Sequence, residues 1–466
     1  MLSFFRINDP FRFIGIFFLM LLFGGIYIWV LDVPMLQPEL IWMLAGERMS
    51  EGFSMYIDII DDTGPLSATV YWMIHVLFGK NLFAYKLLGG LVIFFQIAYI
   101  NGLFIRYKSF DENTYIPALV LVVLFHFSFD ILTLSPALMG STFIVLALGQ
   151  LFSQTVLQKE GSDSILLVGI FGGIAACFHF PLVIFLPYLI VAGVTVSGFN
   201  FNQFLLSLLG YFLPIIGCGL YYFWIDGLPE FVIQYIFATR VIDVYYHVQF
   251  LDLILLLIAP FSFAAAGYFI GTVFKLITVN QQKQKQLIIL FLLFALLTIF
   301  LTNRRTPYQF VILLPGLTYF ITQIFLYLQR GFLLQFFSIS FLISIPLIGF
   351  GWTNYQKASG KIDSYAVAFS EKHRETAGKS ILVLGNDLGY YQQAKLATPY
   401  LNYNLSKGIL RDFNNFAEMA AVYQDFLKEK PEMIIDEDGL FEQLVERIPL
   451  LENSYLKKSE GIYVLK

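Results

Sequence analysis

Long apolar runs separated by short polar stretches recur from the start of the chain to about residue 350. A helix crossing a bilayer needs about 20 largely apolar residues. The runs Phe13–Leu31, Leu82–Ile105, Ile116–Phe129, Ala137–Phe152, Ile165–Phe180 and Leu182–Val196 meet or approach that length. So do Phe204–Ile225, Leu253–Phe274, Leu287–Thr302, Phe310–Leu328 and Phe332–Phe350. Pro65–Gly79 is apolar but short, and His75 interrupts it, so it reads as a juxtamembrane or re-entrant helix. The pattern predicts a polytopic α-helical membrane protein of about 11 transmembrane helices.

The placement of cations orients these spans. Arg6, Arg12, Arg106, Lys108, Lys159, Lys275, Lys283, Lys285 and Arg330 fall on one side, which the positive-inside rule makes cytoplasmic. The N-terminus is then inside and the C-terminus outside. Outer membrane-proximal loops keep Arg48, Lys80, Arg240, Arg304 and Arg305, which need another explanation, and ligand binding is one.

From Gly351 the pattern becomes that of a soluble domain. Ser380–Leu384, Met433–Ile435 and Gly461–Leu465 are short β-type runs, and Phe416–Lys430 and Leu440–Ile448 have helical spacing. The expected division is therefore a transmembrane domain at 1–350, with an outer loop at 32–81, and an extracytoplasmic α/β domain at 351–466.

Composition agrees with the pattern. The 466 residues are 58% hydrophobic and 13% charged, about half the charge of a soluble domain. No basic stripe speaks for nucleic acid. The net charge of −4 changes nothing in this picture. Cys177 and Cys218 fall inside apolar runs without metal-site spacing and read as small core residues. The first run is too long for a signal peptide and reads as a retained helix.

Candidate chemistry concentrates at Leu31–Gly79, which carries Asp32, Glu39, Glu47, Glu51, Asp58, Asp61 and Asp62. Acids do not enter hydrocarbon cheaply, so this stretch belongs at a membrane boundary or in a polar cavity. Glu39 and Asp32, just beyond the first span, could serve as a general base or hold a divalent cation (Mg or Mn) against phosphate oxygens. The alternative is that they face water. The Asp58, Asp61 and Asp62 group matches no metal loop and reads as a solvated turn before Pro65.

Asp130 is an isolated acid in a long apolar region; with His126 one helical turn earlier it could complete a polar pocket or a metal site, the alternative being a helix-end or turn residue. His179 reads as a satisfied core histidine. Arg304 and Arg305, in NRRTPYQ, suit bidentate phosphate contact, with snorkelling as the alternative, and Arg240 is a second such cation. LGNDLG at 384–389 lacks the Lys-Ser/Thr of a P-loop and reads as a strand-to-helix turn.

The string PELIWMLAGERMSEGFSMYIDIIDDTGPLSATVYWMIHVLFGKNLFAYKLLGG resembles the first outer loop of GT-C superfamily membrane glycosyltransferases, the group of protein O-mannosyltransferases and aminoarabinose transferases. The features carrying the likeness are Glu39, Gly52, Tyr56 with Asp58, Pro65-Leu66, Phe78-Gly79 and Lys86. SILLVGIFGGIAACFHFPLVIFLPYLI resembles the paired middle helices of that superfamily, with His179 in place of the usual Lys, and NRRTPYQFVILLPGL is similar to its basic-then-Tyr loop. The usual Asp-Glu doublet is Pro38-Glu39 here.

The resemblance implies transfer of a sugar from a polyprenyl-phosphate-linked donor to an envelope acceptor at the outer face of the inner membrane. It places the base at Glu39, with Asp32 as the alternative, a second acid at Asp130, donor contacts at Asp58, and phosphate contacts at Arg304 and Arg305. Two other classes stay open at this point: a catalytically inactive scaffold in envelope assembly, and a lipid-linked saccharide transporter. Transport would call for acids or broken helices at mid-membrane, whereas the acids here crowd one face.

Overall fold

The computed structural model describes residues 2–157, 162–238, 245–328, 331–367 and 370–466; the expected loop cations Lys159, Arg240 and Arg330 lie outside them. Among the described residues nine helices are long and apolar enough to cross a membrane: Arg12–Val30, Leu82–Arg106, Pro136–Thr155, Phe180–Ser197, Phe201–Trp224, Phe250–Val273, Val279–Leu301, Pro307–Tyr327 and Phe332–Ala358. The protein is a multi-pass membrane protein.

Two of the expected spans fall short of the helices long enough to cross a membrane. Ile116–Phe125 is a helix of 10 residues, every one buried. At 1.5 Å per residue it reaches about 15 Å, half the hydrocarbon thickness. Ser162–Phe178 has 17 residues, the lower limit for a span. Hydropathy registers an apolar environment without saying whether lipid or protein supplies it, so a helix buried in protein scores as a span. Pro65–Phe78 is a 14-residue helix, matching the short helix expected there.

The chain packs as two compact units. One comprises Met1–Val33, Tyr85–Cys218 and Tyr245–Ile362; the other comprises Pro34–Ala84, Gly219–Val244 and Asp363–Lys466. In the first, the helix Leu314–Tyr327 is buried almost throughout and packs against Phe250–Val273 and Ile116–Phe125. Without a hydrophobic drive between helices in lipid, such contacts depend on close backbone approach. Gly267 permits it: a Cβ there would sit 1.9 Å from the Phe320 carbonyl oxygen. Polar side chains join other helices, as where Gln96 donates to the Leu138 carbonyl (3.0 Å) and to Thr142 Oγ1 (2.8 Å).

In the second unit, Gln37–Ser50 lies against Pro65–Phe78, with Trp42 stacked on Tyr71 at 5.6 Å between centroids. Its sheet has five strands in the order Lys395–Leu396, Ser380–Leu384, Met433–Asp436, Ile462–Leu465, Tyr455–Ser459. The first three run parallel and the last two antiparallel to their neighbours. Three strands and two helices stand where the apolar runs placed them. The strand Tyr455–Ser459 escaped the pattern because it is an edge strand exposed on both faces beyond Tyr455, with Lys457 and Lys458 on opposite sides. The helix Tyr403–Arg411 was also missed; its start is set by Asn402, whose side chain accepts from the Leu405 N–H.

Candidate functional site

In the unit built from the spans, two of the expected site residues, Arg304 and Arg305, lie on the segment that enters the most buried of the spans, Pro307–Tyr327. Thr306 precedes Pro307 and is therefore extended (φ −146°, ψ 156°), so the chain turns between Asn303 and the tight helix Pro307–Leu313. Arg304 is buried here, at 5% exposure, in the two-residue strand Arg304–Arg305 that pairs in parallel with Tyr245–Tyr246. Arg305 is half-buried, its guanidinium 5.9 Å from the centre of the Phe250 ring. Arg240 lies outside the described residues.

Asp130 belongs to the short 3-10 turn Phe129–Leu132 between two helices and is fully buried. One carboxylate oxygen accepts from Ser128 Oγ (2.5 Å) and the other from the Tyr308 backbone N–H (3.0 Å). Its backbone carbonyl accepts from Thr133 Oγ1 (2.7 Å). A buried carboxylate survives where hydrogen bonds replace water, and this one fastens the turn four residues beyond Arg304. His179 stands at another helix break, between Phe178 and Phe180, with its Nε2 2.7 Å from Gln309 Oε1. Gln309 in turn donates to the Arg304 carbonyl (3.3 Å). The structure thus brings Asp130, His179 and Arg304 to one turn.

His126 does not join Asp130 in a metal site: its Nδ1 donates to the Val122 carbonyl of its own helix (2.6 Å). Among the described residues no three His, Cys, Asp or Glu side chains are grouped to hold a metal ion. Asp32 is exposed at φ +44°, a left-handed position that Asp tolerates well, and its carbonyl accepts from Lys357 Nζ (3.1 Å).

In the other unit, Glu39 is buried at 3% exposure in the first turn of Gln37–Ser50. Its Oε2 accepts from the Leu36 N–H (2.9 Å), which completes a capping arrangement and suits the positive end of the helix. Asp58 accepts from the Ser54 N–H (2.9 Å) and from Lys428 Nζ (2.8 Å). Glu39 and Asp58 therefore have separate partners. Asp61 is not the solvated turn residue expected: it is fully buried, taking the Asn402 amide (2.8 Å) and Thr63. The turn before Pro65 is covered by the C-terminal segment, with the Ile60 N–H on the Pro399 carbonyl (2.8 Å).

Two of the cations expected in outer loops are engaged within this unit. Arg48 pairs with Glu429 at 2.6 Å and lies 3.5 Å from the centre of the Phe53 ring. Lys80 meets Glu47 (3.2 Å) and the Tyr391 carbonyl (2.7 Å). Burial pushes the Lys80 ammonium below its usual value, with Glu47 working against the shift. Gln309, Ser128 and the Tyr308 N–H were not singled out in the sequence. The one available signal was a polar Gln opening an otherwise apolar run.

No protein-family model matches the chain, and no curated protein matches it in sequence. Among solved structures it is similar to ArnT from Cupriavidus metallidurans bound to undecaprenyl phosphate, with a TM-score of 0.56 and 11% identity over 97% of this chain and 98% of that one. The apo state of the same protein aligns with a TM-score of 0.53 and 11% identity over 96% and 97% of the two chains. The chain has a GT-C-like fold over nearly its whole length.

Proposed function

We propose that this protein is an inner-membrane glycosyltransferase that moves a sugar from a polyprenyl-phosphate-linked donor to an envelope acceptor at the outer face, with its C-terminal α/β domain extracytoplasmic. The observation that carries the reading is the buried Arg304, held in a turn fastened by Asp130 and His179 within a GT-C-like fold. The planar fork of a guanidinium matches the oxygens of a phosphate, to which it can donate bidentately. Arg304, with Arg305, neutralises the phosphate as the anomeric C–O bond breaks and the lipid phosphate leaves. The resemblance assigns Glu39 as the base that takes the acceptor's proton. Asp32, exposed in a left-handed turn, is the alternative.

A second reading is an inactive scaffold. Its support is that Glu39 spends an oxygen capping its own helix and Asp130 spends both on neighbours. Transfer from a radiolabelled polyprenyl-phosphate sugar pool in membranes, wild type against Glu39→Gln, separates the two. Loss of transfer at normal protein level supports the enzyme with Glu39 as base. Unchanged transfer moves the base elsewhere. No transfer by the wild type with any pool supports the scaffold.

A further inference from the structure

The Arg304 turn is held at two consecutive residues by two separate breaks in apolar helices. Asp130, from the break after Phe125, takes the Tyr308 N–H; His179, from the break after Phe178, takes the Gln309 side chain. Interrupting a helix at membrane depth frees backbone groups that lipid cannot satisfy, so such breaks are kept only where protein or a polar cavity receives them.

The second fastening has a fixed direction. A carbonyl only accepts, so the end of the Gln309 amide at 3.3 Å from the Arg304 carbonyl is its NH2. The amide oxygen then faces His179, and Nε2 at 2.7 Å must be the protonated nitrogen. A main-chain carbonyl of Arg304 therefore sets the histidine tautomer through one side chain. His179 is itself aimed by extended backbone (φ −147°, ψ 109°) at the start of the Phe180–Ile184 turn. Nε2–H is present whether or not Nδ1 carries a proton, so the fastening is insensitive to pH.

We propose that His179 is a positioning residue which, through Gln309, holds the 304–309 turn so that the Arg304 guanidinium is aimed at an anionic phosphate ester. The proposal rests on the reading of Arg304 as the group that meets the donor phosphate. The strand pairing with Tyr245–Tyr246 holds one side of the Arg304–Arg305 backbone, and removing the imidazole donor lets the Gln309 amide rotate and releases the Arg304 carbonyl on the other. The positive charge stays in place but its fork loses its aim.

The test measures affinity of the purified full-length protein for undecaprenyl phosphate and for undecaprenol, and takes the dissociation constant for undecaprenol divided by that for undecaprenyl phosphate. That ratio isolates the phosphate contribution; a merely structural role would lower thermal stability and weaken both lipids together. In His179→Phe and in Gln309→Glu the ratio falls about tenfold, the equivalent of one lost buried hydrogen bond. Gln309→Glu is the informative variant, because it keeps an acceptor for His179 and loses the donor to the Arg304 carbonyl. It also serves if His179→Phe does not fold. His179→Gln, which restores an N–H donor, keeps the ratio within about threefold of wild type. An unchanged ratio in Gln309→Glu overturns the proposal while leaving the functional reading intact. A wild-type protein that does not prefer undecaprenyl phosphate over undecaprenol overturns both.

Discussion

Replacing Asp130 separates what its shape contributes from what its charge contributes. The carboxylate is fully buried and accepts from Ser128 Oγ at 2.5 Å and from the Tyr308 N–H at 3.0 Å. In Asp130→Ala the hydroxyl can rotate towards another acceptor, but the Tyr308 N–H points into the space left behind and cannot. An orphaned buried donor costs about 1–3 kcal/mol, and the lost charge-assisted bond and emptied volume bring the total to about 3 kcal/mol. In Asp130→Asn the amide oxygen still accepts from Tyr308 and the NH2 faces a serine oxygen, so only charge assistance is lost, about 1 kcal/mol. Equilibrium unfolding in mixed micelles, followed by tryptophan fluorescence, measures both. The order expected is wild type, then Asn, then Ala, with most of the loss between the last two. Asn and Ala variants of equal stability would refute the reasoning, because the Tyr308 N–H would then be shown to need no acceptor.

Other consequences are as direct. Arg48→Ala strands the Glu429 carboxylate where Arg48 is 3% exposed, and costs about 3 kcal/mol in the same unfolding assay. Lys428→Ala breaks a pair with Asp58 whose lysine side chain is 61% exposed, and costs under about 1 kcal/mol. Burial raises the Asp387 carboxyl, but hydrogen bonds from Lys372, His373 and the Gly389 N–H outweigh it and hold the group below its usual value. A depressed carboxyl stabilises the fold above the unfolded-state pKa of about 4 and stops doing so as pH falls through the folded-state value. Melting curves of wild type should therefore lose stability on acidification below about pH 4 more steeply than those of Asp387→Asn.

Much of the fold could be read from the sequence because its determinants are local in the chain. Apolar runs of span length and the β-type runs of the tail carry their own signal. Ile116–Phe125 misled because lipid and a protein interior select the same side chains. The site was legible by residue type and not by partner. Asp130 and Arg304 stood out as charges in apolar surroundings, yet nothing in the sequence pairs Asp130 with Tyr308 across 178 positions, since the acceptor serves a backbone N–H that every non-proline residue has. Asp61 was misread for a related reason. Its burial depends on Asn402, 341 residues away, and a run of three acids before Pro65 looks the same whether water or protein covers it.

The central claim is that Arg304 meets the phosphate of a lipid-linked sugar donor. Its most direct test is sugar transfer in membranes from a radiolabelled polyprenyl-phosphate donor pool, comparing wild type with Arg304→Ala at matched protein level. The account predicts transfer by wild type and a loss of about 100-fold in the variant, the usual effect of removing one group that stabilises developing charge. Transfer by Arg304→Ala at the wild-type rate would contradict it.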